Sequence, residues 1–204
     1  MLLRQTTAPQ TEPITTQDVE AQIKYQLLDD QVALVDMYIR AVRARAEAIT
    51  RRALVTQSYE LVLDGFPSGR DAIKLPLPPL QTVDSITYVD TDGATQTLDP
   101  LTYRVIAEIS STCPPGYIIP VYGLSWPVTR DDVAVVRIAF TCGYGPLAEG
   151  GSSNVPDGIL LWMMLQCAGH NETREAFIVS LKEQLVDLRT IGDVYLDDYR
   201  VRSF

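Results

Sequence analysis

Few side chains in this sequence could do chemistry. There is one histidine, His170, which removes most histidine-based catalytic and metal constellations. Asn171 and Glu172 beside it could in principle share a cation, but a lone histidine at a helix end reads as a cap or surface group. Cys113, Cys142 and Cys167 are widely spaced with no CxxC pair, the pattern of reduced, buried thiols in a cytoplasmic product. Asp90-Thr91-Asp92-Gly93 begins like a calcium loop but lacks the remaining ligands and the closing glutamate. A tight hairpin turn is the simpler reading. Asp187, Asp193, Asp197 and Asp198 lie near or beyond a helix end without a pocket to shift their pKa, so they read as a solvated acidic patch. No P-loop, GxSxG, HExxH or GxGxxG is present. The expectation is a protein that is not an enzyme and needs neither cofactor nor metal.

The remaining concentration of function-bearing residues is basic: Arg40, Arg43, Arg45, Arg51 and Arg52. Two readings compete for it, a phosphate contact and salt bridges on a helix. Asp36 and Glu47 are interleaved with the arginines, placing Asp36/Arg40 and Arg43/Glu47 at i,i+4, where each pair supports a helix by roughly 0.2–0.5 kcal/mol. The formal net charge is −9, from 26 acidic and 17 basic residues. Sequence-independent grip on DNA depends on cations neutralising phosphates, so salt bridging is favoured. The stripe Asp36, Arg40, Arg43, Glu47 and Arg51 then faces solvent or a neighbouring subunit.

These residues need elements to hold them. Pro9 and Pro13 amid threonine and glutamine mark residues 1–13 as a mobile arm. Thr15 suits a helix N-cap, with Asp18 at the third helical position and Ile14 facing Val19 as a hydrophobic staple; this helix is expected over 15–27. A second, at 31–52, has an apolar stripe of Val32, Val35, Ile39, Val42, Ala46 and Ile49. From Thr56 the period becomes two: Tyr59, Leu61 and Leu63 alternate with polar residues, as do Ile86 and Tyr88, then Val136, Ile138, Phe140 and Cys142. Pro76, Pro78 and Pro79 mark a connection or sheet edge. The stretch from Ile106 to Asp132 reads as a loop with one short strand near 117–121. Glycines close this region, and Pro156 opens a third helix at 156–170, apolar nearly all round. A fourth at 174–190 has Phe177, Leu181, Leu185 and Leu188 on one face. The expected fold is α+β: a small bundle of about four helices with a β-rich insertion at 56–145 between the second and third. Residues 14–192 form the domain and 193–204 a tail. In an extended tail Tyr199 and Val201 share one face with the arginines opposite, so Tyr199, Arg200, Val201, Arg202 and Phe204 suit docking into a groove. No run of 18 apolar residues occurs, which leaves no membrane-spanning helix to expect. The opening residues lack the apolar core of a signal peptide.

Several blocks, in order and spacing, resemble the phage head–tail connector (adaptor) family, the group sometimes labelled "possible DNA packaging" proteins. They are Thr50-Arg51-Arg52-Ala53-Leu54-Val55-Thr56-Gln57-Ser58-Tyr59-Glu60-Leu61 with Leu63-Asp64-Gly65-Phe66-Pro67, then Leu75-Pro76-Leu77-Pro78-Pro79-Leu80-Gln81-Thr82-Val83. Leu98-Asp99-Pro100, Tyr103-Arg104-Val105, Ser125-Trp126-Pro127, Gly143-Tyr144-Gly145, Val155-Pro156 and Tyr199-Arg200-Val201-Arg202 complete the match. It covers residues 14–204 and departs at 107–115, which is longer than usual, and at 169–175, where the family carries an aromatic-rich run. The resemblance implies a virion subunit made in the bacterial host cytoplasm. It implies a homo-oligomeric ring, twelve-fold, beneath a portal protein. That ring extends the channel through which double-stranded DNA passes without specific binding, and receives the next neck or tail-completion protein. Trp126 joins the charged stripe and the tail as an expected interface residue. The alternative is a nucleic-acid-binding packaging factor using the arginines of the second helix.

Overall fold

The computed structural model describes residues 1–24, 26–108, 114–145, 154–172 and 194–201. Helix α1 (Thr16–Ile23) starts as its sequence dictates. The Thr15 hydroxyl accepts from the Asp18 N–H while the Asp18 carboxylate accepts from the Thr15 N–H, at 3.2 and 2.7 Å. Ile14 and Val19 are both buried beside this cap. The helix ends earlier than its hydrophobicity suggests, because Lys24 takes a left-handed conformation (φ 60°) that closes the C-terminus. Helix α2 (Asp29–Thr50) ends the same way at Arg51, φ 57°. Its stripe Val35, Ile39, Val42 and Ala46 is buried as the period requires. Helix α3 (Asp157–Glu172) packs on both. The expected fourth helix at 174–190 lies outside the described residues, which resume with a helical turn at 194–197.

Two antiparallel sheets fill the middle of the chain. The larger comprises β1 (Leu2–Thr7), β2 (Gln57–Leu63), β4 (Leu80–Val89), β5 (Thr95–Thr97) and β8 (Val136–Cys142), in the order β1-β2-β8-β4-β5. The smaller comprises β3 (Ile73–Lys74), β6 (Tyr103–Ile106) and β7 (Tyr117–Pro120), in the order β3-β7-β6. A short 3₁₀ turn (Pro100–Thr102) leads into β6. The Asp90–Gly93 segment is indeed the turn between β4 and β5: Gly93 sits at φ +86°, and the Asp90 carboxylate accepts from the Asp92 and Ala94 N–H groups. The fold is thus an α+β mix, as the periodicities require.

Residues 1–13 depart from the expected mobile arm. Residues 2–7 form β1, and Leu2, Leu3, Arg4 and Gln5 pair with Val62, Leu61, Glu60 and Tyr59. The segment has little apolar content because most of its side chains stay exposed. What holds it is the backbone ladder on the edge of β2, which composition does not report.

Buried side chains form two clusters. One is helical, with Val19, Val35, Ile39, Ile159, Trp162, Met163 and Leu196. The other lies on the sheets, with Leu61, Ile86, Ile118, Trp126, Ile138 and Phe140. Consecutive residues divide between them: Ala53 packs into the sheet cluster and Leu54 into the helical one. The junction between α2 and β2 is therefore the seam of the molecule.

Candidate functional site

At that seam the charged stripe of α2 turns inward. Arg43 Nε donates to Glu12 Oε2 at 2.7 Å and its Nη1 to Glu47 Oε2 at 2.9 Å. The other Glu47 oxygen accepts from the Leu54 N–H at 2.9 Å and from Gln57 Nε2 at 2.7 Å. Gln57 Oε1 in turn accepts from Gln5 Nε2 at 2.7 Å and from the Tyr59 hydroxyl at 3.0 Å. Burial raises the Glu47 carboxyl above its ordinary range, against the opposing pull of the Leu54 N–H and the Arg43 charge. Burial would lower the Arg43 guanidinium, but the hydrogen bond to Glu12 and the Glu47 charge outweigh it and hold the cation above its ordinary range. One network thus links the N-terminal segment, α2 and β2.

This corrects the sequence expectation for half of the stripe. Arg43 and Glu47 do pair at i,i+4, yet they serve the subunit's own seam and are largely withdrawn from solvent. Among the described residues Asp36 and Arg40 form no ion pair with each other; Arg40 and Arg51 are exposed, with Arg45 beside them. Arg52, two residues past the end of the helix, is 3% exposed. Its Nε donates to the Tyr199 carbonyl at 2.6 Å and its Nη1 to the Tyr144 hydroxyl at 3.5 Å. No spacing rule flags it, because it is the tertiary path of residues 199–201 that makes it internal.

The described part of the tail lies against the same seam. Val201 is 8% exposed and its N–H donates to the Thr50 carbonyl at 3.0 Å. The Tyr199 ring packs where Gly158 has no side chain; a Cβ there would stand 2.9 Å from the phenol oxygen. Residues 199–201 therefore pack on their own domain, not outward into a partner's groove. Arg200 lies exposed and pairs with Asp197 at 3.1 Å. Arg202, Phe204, Asp187, Asp193 and Cys113 lie outside the described residues, as does the side chain of His170.

Trp126 is also internal. Its ring stacks on Phe66 at 4.9 Å and 4°, with Tyr88 edge-on to Phe66, and its Nε1 donates to the Asp71 carbonyl at 2.9 Å. An apolar groove of about 200 Å³ runs beside it, lined by Leu98, Pro120, Leu124 and Pro127 among others. Leu101, Tyr122 and Val128, in neighbouring loop segments, are largely solvent-exposed.

Cys142 and Cys167 are free and buried. Burial pushes the Cys167 thiol up to about 12 and the Cys142 thiol higher still. Among the described residues no group of three or more His, Cys, Asp or Glu side chains could hold a metal ion. No described helix is long and apolar enough to cross a membrane. The arrangement is one of internal braces and outward-facing surfaces.

No protein-family model and no curated protein matches the sequence. Solved structures do. A chain in the neck of an empty gene transfer agent particle, computed with C6 symmetry, has a TM-score of 0.72 at 21% identity. A chain of the virion of the native gene transfer agent particle has a TM-score of 0.72 at 20% identity. A chain in the neck of the native particle, computed with C12 symmetry, has 0.67 at 22%. In each case the likeness covers 100% of this chain and 98% of the other. At this identity the likeness establishes a shared fold over the full length.

Proposed function

We propose that the protein is a structural subunit of the neck of a phage-like particle, assembling as a twelve-fold ring that joins head to tail. The observation that carries this reading is the full-length likeness to neck chains, one of them from a particle neck computed with C12 symmetry. It agrees in kind with the sequence motifs. In this role the ring sits under the portal, extends the DNA channel and receives the next neck or tail component. A subunit of net charge −9 suits a passage for DNA, because it offers few phosphate grips and lets the duplex slide.

The competing packaging-factor reading loses support from the arginines themselves. Arg43 and Arg52 are committed to internal hydrogen bonds, leaving Arg40, Arg45 and Arg51 on the outer surface of the α2 region. Native mass spectrometry of the purified chain, alone and with portal-bearing heads, is the decisive test. A twelve-subunit ring attached to the portal is expected. A chain that stays monomeric in both conditions overturns the reading, and sub-micromolar duplex binding with a steep salt slope promotes the alternative.

A further inference from the structure

Strand β1 is an edge strand that pairs with β2 alone. It is not part of a hairpin: residues 8–56, including α1 and α2, intervene between it and its partner β2. No tight turn enforces the pairing, as none does for β2 with β8 or β4 with β8. Five of its six residues are exposed; Leu3 alone is partly buried against the sheet cluster. Its specific anchors all lie on the β2 edge: the ladder from Val62 to Ser58, the Arg4–Glu60 contact at 3.6 Å and the Gln5–Gln57 hydrogen bond.

The connection from β1 to the helices is short and stiffened. Pro9 and Pro13 flank it, and proline favours extended backbone over a folded-back loop. Glu12 is tied to Arg43 of α2, so residues 8–11 act as the hinge. Four extended residues span roughly 13–14 Å. Exchange requires the β2 edge of the adjacent copy to lie within that reach.

We infer that in the assembled ring β1 is exchanged, each copy laying its residues 2–7 along β2 of the next. The inference rests on the ring reading above and names the contact that closes it. Exchange retains the strand's ladder and polar anchors, because the neighbour offers an identical edge; only the hinge changes. In a ring the adjacent acceptor stands at high effective concentration. The chemistry of the contact is strand addition: backbone hydrogen bonds supply the affinity, and the neighbour's Gln57 meets the incoming Gln5. The direction is head-to-tail, which is what a closed ring requires and a two-fold dimer does not.

Chains with one introduced cysteine, the native Cys113, Cys142 and Cys167 replaced by alanine, test this directly. Arg4 and Glu60 are directly opposed in the ladder, a separation that suits a disulfide. Chains carrying Arg4→Cys and chains carrying Glu60→Cys are mixed, unfolded, co-assembled and oxidised, with assembly followed by native mass spectrometry. Exchange predicts covalent dimers containing one chain of each kind. The double variant Arg4→Cys/Glu60→Cys should give a ladder of higher covalent multimers on a denaturing gel. If rings form but the mixture gives no mixed dimer, and the double variant closes only within single chains, exchange is overturned and the ring reading stands. If no ring forms and crosslinking is only intrachain, both fail.

Discussion

Arg52 shows most sharply how a single side chain can be miscast by composition. Among five nearby arginines it looks like one more surface cation, yet its guanidinium is buried and ties the carbonyl of Tyr199 to the Tyr144 hydroxyl. Hydrogen bonds from a charged donor are worth about 1.5–3 kcal/mol each, and removing the donor leaves the part-buried Tyr199 carbonyl without it. Arg52→Ala should therefore lower unfolding free energy by about 2–4 kcal/mol, measured as a reduced midpoint in urea titration. The buried thiols and Tyr59 set the alkaline limit. Burial takes Tyr59 from 10.0 to about 12 and Cys167 from 9.0 to about 12, with Cys142 raised in the same direction. These groups stay protonated in the folded chain while the unfolded chain releases their protons. Their contribution is intact below about pH 9 and is lost as pH rises through 12. Melting temperature should accordingly fall steadily between pH 9 and 12. A flat profile would show that these groups are not withdrawn from water.

At the scale of elements, the seam between α2 and β2 gathers contacts from both distant segments of the chain. Glu12 and Gln5 reach it from the N-terminal side, and Val201 reaches the Thr50 carbonyl from the C-terminal side. The helices and the main strands were legible because each has a period: Thr15 with Asp18 announces α1, and Val35 to Ala46 announces α2. The hidden parts were those held by backbone or by tertiary contacts. β1 has no alternating apolar face, and Tyr199 and Val201 have the same two-residue spacing whether they dock outward or inward. The burial of Trp126 and Val201 was hidden for that reason, since exposure is decided by packing that spacing does not encode. Deleting residues 199–204 removes a buried valine, a half-buried tyrosine and two long-range hydrogen bonds, Arg52 to the Tyr199 carbonyl and Val201 to the Thr50 carbonyl. That should lower the melting temperature by about 5–10 °C, read by calorimetry. Unchanged melting with lost portal attachment would restore the outward-docking tail.

For the whole molecule, the division of the arginine stripe separates folding from assembly. Arg43→Glu places a third carboxylate beside Glu12 and Glu47, so it should destabilise the isolated subunit by several kcal/mol, in line with breaking a buried pair at about 3–5 kcal/mol. Arg40→Glu alters an exposed position and should leave subunit stability within about 0.5 kcal/mol. If the outer surface of α2 forms the lateral contact, Arg40→Glu should weaken ring formation at unchanged melting temperature; normal rings would assign that surface to solvent. The two-cluster architecture has one more consequence, which concerns time. The eight described strands all precede α3 in the chain, so the sheet cluster can consolidate while the helical one is still incomplete. Leu196, fully buried among the helices, and Val201, bonded to Thr50, arrive only after α3 has been made. The seam is thus closed late in translation, and a nascent chain cannot offer a finished subunit to its neighbours until that closure has taken place.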